Sequence, residues 1–213
     1  MTIDTNDLLQ SITESLKRIE YIQADDIPNI DLYMDQVTSF LDTRLRSTTR
    51  NKEEDKILTK TMINNYAKND LFPPPEKKKY NKDHMITLLI IYYFKYFLSI
   101  NDIETIIKPL NENYFGKDGD ITLVDIYEVL RKQEEEQNVK VIEDIKEKFD
   151  IASGLFKTGD KEEEERLSLF AFISLLSADV YVKKLLIEKL VDGYRDKVGQ
   201  ESSQMEKDTK KDK

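Results

Sequence analysis

Lys60, Lys68, Lys77, Lys78 and Lys79 lie close together in the chain, interleaved with Thr59, Thr61, Asn64, Asn65, Tyr66 and Tyr80. Lysine ammonium groups are suited to phosphate oxygens, whereas an asparagine amide can both donate to and accept from an adenine edge in the major groove. Threonine and tyrosine hydroxyls serve either task. The chemistry that this set of residue types offers is recognition of double-stranded DNA. Charge points the same way: residues 44–82 hold 11 Lys or Arg and 5 Asp or Glu, a local +6, although the whole chain carries −9. The remainder therefore carries −15. Salt screens charges over roughly 10 Å at about 0.1 M, so a basic segment can meet phosphates within an acidic protein.

These residues need elements to hold them. Residues 59–69 read as a short helix anchored by Met62, Ile63 and Tyr66 and polar elsewhere. Pro73–Pro75 end it, since proline cannot continue a helix and holds the preceding residue extended. A basic, strand-like tip follows, and then an almost wholly apolar helix over 82–98 that belongs in a core, with Asn81 as its cap. With a helix at 31–46 in front, this order is that of a winged helix-turn-helix, 72–80 being the wing. An N-terminal helix spans 6–21, with Leu8, Leu9, Ile12, Leu16 and Ile19 on one face. Ser99 and Asp102 form a capping box that starts a helix stopping near Pro109. Thr122 with Asp125 starts a long helix over 122–149 whose polar middle, 131–138, is expected to be exposed. Residues 162–198 read as two helices divided at Ser177-Ala178-Asp179, and residues 199–213 as a disordered tail.

Composition excludes other chemistries. Cys is absent, which removes disulfides, thiol catalysis and Cys-based zinc sites, and a single His cannot build a site of clustered imidazoles. The N-terminus has no basic region followed by an apolar one, and the longest uncharged stretches fall well short of a bilayer span, so a cytoplasmic protein without a membrane partner is expected. Residues 116–121 resemble a calcium loop, but the first ligand position would fall on Tyr114. His84 reads as a surface residue able to pair with Asp83. Tyr92, Tyr93, Phe94, Tyr96 and Phe97 read as core packing, with a small-ligand pocket as the alternative. Glu134–Glu136 and Glu162–Glu165 read as solvated helix faces. No phosphate loop and no Ser/His/Asp set is found, so no enzyme, cofactor or metal is expected.

The central run resembles the DNA-binding domain of the MerR family of transcriptional regulators. MINNY ends at Tyr66, which matches the second tyrosine of that family's Arg-Tyr-Tyr motif. Leu71 matches the Leu of the following Gly-Leu, Pro73–Pro75 cover the motif proline, and Lys78 and Tyr80 match the wing Arg and final Tyr. Ser99, Ile100 and Ile103 match the later turn and short helix. Asn64 and Asn65 replace the Arg and first Tyr, Asp70 replaces the Gly, and Phe97 stands at the turn Gly. Over more of its length, through the DLFPPP run followed by basic residues and tyrosine, the chain is similar to the bacterial family named domain of unknown function 1836, which is itself suspected of being MerR-like.

The expectation is an all-α protein: an N-terminal helix in 1–30, a MerR-like winged helix-turn-helix in 31–110, a C-terminal helical region in 111–198 for dimerisation or effector binding, and a tail in 199–213. It would act as a homodimeric transcriptional regulator reading double-stranded DNA, with an unidentified small effector possible. Thr59, Lys60, Thr61, Asn64, Asn65, Tyr66, Lys68, Lys77, Lys78, Lys79 and Tyr80 are the expected DNA contacts. The alternative is a protein-interaction or small-ligand-sensing helical module without nucleic-acid binding.

Overall fold

The computed structural model describes residues 5–17 and 21–211. Seven α-helices and one two-stranded antiparallel sheet are found among them: α1 (Thr5–Lys17), β1 (Leu32–Tyr33), α2 (Met34–Leu45), α3 (Lys60–Lys68), β2 (Lys79–Tyr80), α4 (Lys82–Phe94), α5 (Ile100–Tyr114), α6 (Leu123–Leu155) and α7 (Lys161–Lys211). The chain divides into two compact units. No helix among the described residues is long and apolar enough to cross a membrane.

One unit comprises Ile22–Glu128 and the chain from Leu185 onward. Its centre is α4, buried from His84 to Tyr92, because a helix apolar on every side is stable only when neighbours cover every side. Val37, Leu41 and Leu45 of α2, four residues apart and therefore on one face, pack into the same core with Ile63 of α3 and Ile103 and Ile107 of α5. Tyr127 closes it, its hydroxyl donating to the carbonyl of Ile22 at 2.7 Å. The sheet pairs Leu32 with Tyr80 and Tyr33 with Lys79, so β2 is tied to the residues that lead into α2. This shortens α2 relative to the helix expected over 31–46.

Two helix boundaries differ from expectation in instructive ways. α5 does not stop at Pro109 but runs through it to Tyr114. The missing N–H removes one helical bond, and the turn beyond it is held from outside by buried Asn111. Its amide donates to Leu71 O at 2.7 Å and accepts from the Thr87 hydroxyl at 3.2 Å. α7 is likewise unbroken at Ser177-Ala178-Asp179, where Asp179 reaches Lys148 at 3.0 Å and Lys183 at 3.8 Å from within the helix. It continues to Lys211, through the stretch read as a tail.

The other unit comprises the chain up to Tyr21 and Val129–Lys184. Phe149 and Ala152 of α6 meet Ala171 and Phe172 of α7, with Leu9 of α1 packed against them. The Phe149 and Phe172 rings stand edge to face at 5.3 Å. Ile19, read as part of the first helix's apolar face, lies outside the described residues. The polar middle of α6 is not wholly exposed: Arg131 is buried, its guanidinium lying 5.5 Å over the Tyr21 ring and paired with Glu134 at 2.5 Å.

Candidate nucleic-acid interface

α3 is short, and local signals set both of its ends. The Thr59 hydroxyl accepts from Met62 N at 3.2 Å and caps the start. At the other end Leu71 N donates to Tyr66 O at 3.0 Å and Asp70 N to Ala67 O at 3.3 Å, with Asp70 at φ 55°. This is the Schellman pattern, in which the left-handed residue usually is glycine. Ile63 is fully buried, and Met62, Tyr66 and Ala67 are half-buried. Lys60, Thr61, Asn64, Asn65 and Lys68 remain, all exposed, on one continuous face that carries no carboxylate.

The segment expected to be a wing, 72–80, contributes only a tight turn and the two residues of β2. Lys79 N donates to Glu76 O at 2.8 Å, closing a four-residue turn with Lys77 at φ 47° and Lys78 at φ 66°. Two central residues with positive φ define the type I′ hairpin turn, whose twist suits the strands but which favours Asn and Gly. Lysine at both positions is unfavourable for the backbone and places two ammonium groups at the exposed tip. Lys79 turns back instead, its ammonium 5.4 Å from the centre of the exposed Tyr33 ring.

The expected contacts therefore separate. Thr61, Asn64, Asn65, Lys68, Lys77 and Lys78 are exposed, and among the described residues their side chains have no intramolecular partner. Lys60 is exposed but ion-paired with Asp35 in the first turn of α2. Thr59 spends its hydroxyl on the cap, and Tyr66 is half-buried, burial pushing its hydroxyl pKa upward. Tyr80 is not a contact at all: only 3% exposed, it packs in the core and meets the His84 ring at 5.4 Å. Arg44 and Arg46, counted in the basic segment, are bound within the fold. Arg44 pairs with Asp26 at 3.1 Å, while Arg46 pairs with Asp42 and donates to the carbonyls of Lys52 and Asp55 at 2.8 Å each. Sequence reasoning missed Asp35 and Tyr33, which hold the two lysines flanking the start of α2. Their only sequence signal is their place beside a helix start.

His84 is the second correction. It is 4% exposed, not a surface residue, and its ring lies edge to face with Phe72, Tyr80 and Phe115. Asp83 does not pair with it but accepts from Gly116 N at 2.7 Å. The His84 Nε2 donates to Pro73 O at 3.0 Å, fastening the proline run to α4. Its Nδ1 accepts from Asn81 N at 3.2 Å while Asn81 Oδ1 accepts from His84 N at 3.1 Å. This is a capping box with histidine in the place of glutamate, and only a neutral ring can complete it. Burial lowers the His84 pKa, because an imidazolium there would lose its water; the carbonyl of Pro73 and the nearby Asp83, Asp31 and Glu76 oppose this more weakly.

The aromatic cluster is divided between core and surface. Tyr92 is buried and Tyr96 exposed, and both rings flank the Lys95 ammonium, at 4.7 and 5.2 Å from their centres. Lys95 itself donates to Ile57 O at 2.5 Å, which binds the segment before α3 to the end of α4. An apolar groove of about 530 Å³ lies elsewhere, between α5 and α7, lined by Ile106, Pro109, Leu110, Tyr114, Leu190 and Tyr194 among others. No group of metal-ligating side chains is found among the described residues.

Comparison with curated proteins and with solved structures yields no match. The sequence profile of the family described as Domain of unknown function (DUF1836) matches residues 22–130, which takes in β1, β2 and all of α2 to α5. That match spans just over half of the 213 residues, so the chain belongs to the DUF1836 family.

Proposed function

We propose that the chain binds double-stranded DNA as a transcriptional regulator, with α2, α3 and the β1–β2 wing acting as a MerR-like winged helix-turn-helix. The observation that carries this reading is the exposed face of α3, made only of Lys, Thr and Asn. The Lys77–Lys78 turn supports it, since its residue types suit phosphate better than they suit the backbone. Asp70 adds support for the MerR likeness. It occupies the place of that family's motif glycine and has the left-handed φ a glycine would take. On this reading Asn64 and Asn65 read base edges, while Lys68, Lys77 and Lys78 position the helix on phosphates. The test is fluorescence anisotropy with duplex DNA from upstream of the chain's own gene, from about 50 to 200 mM salt. Log affinity should fall with log salt at about 0.9 per phosphate contacted. No binding at about 50 mM salt refutes the proposal.

A second reading, a helical module that senses a small apolar ligand, is favoured by the groove between α5 and α7. Its volume falls in the roughly 300–1,000 Å³ range of ligand sites. A panel of apolar compounds that leaves the Tm unchanged removes this reading.

A further inference from the structure

The end of α5 shows different faces to different neighbours. Ile103, Ile107 and Asn111, four residues apart, point into the core. Ile106, Leu110, Asn113 and Tyr114 line the groove instead, together with Leu190 and Tyr194 of α7, all within one unit. Leu190 is 64% exposed, so the groove is open apolar surface and not part of the core. No charged side chain lines it. Its polar groups are the Asn113 amide and the phenols of Tyr114 and Tyr194, and among the described residues neither phenol has a hydrogen-bond partner. The inner face of the same turn is fastened to α3 and α4. Asn111 donates to the carbonyl of Leu71, whose own N–H closes α3 on Tyr66 O at 3.0 Å. The Phe115 ring stands 4.7 Å from that of His84, and Gly116 N donates to Asp83 in the first turn of α4. Pro109 separates these anchors from the rest of α5, and there the helix lacks the bond that Thr105 O would accept. The turn beyond it is the soft point of the helix.

We propose that the groove binds an uncharged aromatic molecule, and that its occupation stiffens the end of α3. An ion would give up its water there and meet no opposite charge. The two tyrosine rings and the Pro109 ring offer flat faces to an aromatic ligand, and the unpaired phenols suit a hydroxyl, carbonyl or amine on it. A protein partner is a poorer fit. Nine residues line the groove, against the roughly 20–30 a side of a stable protein interface. Its volume of about 530 Å³ lies instead within the roughly 300–1,000 Å³ of small-molecule sites. A ligand touching both α5 and α7 holds the turn beyond Pro109 in place, and so holds Asn111 on Leu71. The last turn of α3 then opens less often. On the reading of α3 as the DNA-contacting helix, on which this last step rests, ligand and duplex favour the same ordered turn, so each strengthens binding of the other.

The probe is N-phenyl-1-naphthylamine, an uncharged aromatic amine whose fluorescence rises in apolar surroundings, added to the full chain. It should bind, and its sulfonated analogue 8-anilinonaphthalene-1-sulfonate should bind roughly tenfold more weakly, since the groove has no cation to receive the sulfonate. Leu190→Glu should weaken binding of the uncharged probe by a similar roughly tenfold factor. Val182→Glu, at a 62% exposed place on α7 that does not line the groove, should leave it unchanged. With the probe bound and no DNA present, hydrogen exchange at the Leu71 amide should slow about fivefold. Failure of the probe to bind, equal binding of the two dyes, equal losses in the two variants, or unchanged exchange at Leu71 overturns the proposal. Duplex affinity, read by anisotropy, should rise about fivefold with saturating probe. A chain that binds duplex with an affinity the probe leaves unchanged overturns the coupling. A chain that binds the probe and slows Leu71 exchange but binds no duplex upholds the groove and the stiffening of α3, and removes only the DNA reading.

Discussion

Replacing Lys77-Lys78 by Asn-Gly should make the protein more stable and a weaker DNA binder. Both lysines occupy the left-handed region, at φ 47° and 66°. For a residue with a Cβ that conformation costs roughly 1–2 kcal/mol, and Asn and Gly adopt it more readily. Glycine returns part of the gain, about 0.5–1 kcal/mol, through the greater freedom of the unfolded chain. The net expectation is about 1 kcal/mol of added stability for the double variant, or roughly 2–4 °C in Tm for a chain of this length. The turn itself should persist, since Asn-Gly is the preferred pair for a two-residue hairpin turn. Loss of two ammonium groups should meanwhile flatten the salt dependence of duplex binding by about 1.8 per bound chain, at 0.9 per phosphate. Urea unfolding followed by circular dichroism measures the first effect and anisotropy titrations at several salt concentrations measure the second. A Tm that falls would show that the turn does not hold its lysines under strain. A higher Tm with an unchanged salt slope would show that the wing does not touch phosphate.

Four further outcomes are expected. Asn64→Ala or Asn65→Ala should cost roughly 1–3 kcal/mol on a specific site and little on random duplex, which competition titrations can separate; equal losses on both would displace α3 from the groove. Asp35→Asn should free Lys60 and strengthen binding to any duplex, so a variant with unchanged affinity at about 50 mM salt would mean that the ion pair does not restrain that lysine. Asn111→Ala leaves the Leu71 carbonyl and the Thr87 hydroxyl unpaired inside the core and should cost about 2–6 kcal/mol, from roughly 1–3 per group; a loss below about 1 kcal/mol in urea titrations would contradict this. For His84 the folded pKa lies below the usual 6.5, so as pH falls the unfolded chain takes up the proton first. Its contribution to stability should be whole above about pH 6.5 and decline as pH falls from there toward the folded pKa. His84→Gln keeps an acceptor for Asn81 N and should flatten Tm between about pH 5.5 and 7; an undiminished slope would assign the dependence elsewhere.

Much of the fold was legible because its signals are local. Thr59, Asn81, Ser99 and Thr122 each mark a helix start through a side chain that reaches three residues ahead, and those starts are where the structure has them. The exposed face of α3 was legible for the same reason, since period and residue type within nine positions decide it. What escaped depends on distant residues. Pro109 ends a helix in isolation but not when Asn111 is anchored to Leu71 across the core. His84 was placed at the surface because nothing nearby in sequence announces the Phe72, Tyr80 and Phe115 rings around it. Tyr80 was read as a contact from its position in a motif, whereas its pairing with Leu32 turns it to the core. The charge count over 44–82 could not show that Arg44 and Arg46 are held by carboxylates and carbonyls of the same fold.

The reciprocal bonds at the helix starts bear on how the chain can tolerate change in length. In α4, α5 and α6 the first turn is closed on itself, by Asn81 with His84, Ser99 with Asp102, and Thr122 with Asp125. A helix started in this way does not take its phase from the segment before it. Residues can be gained or lost between Gly116 and Ile121, ahead of α6, while the inward face of that helix stays the same. Such segments are natural places for a tag, an epitope or a protease site, and for lineages to differ in length without repacking the core.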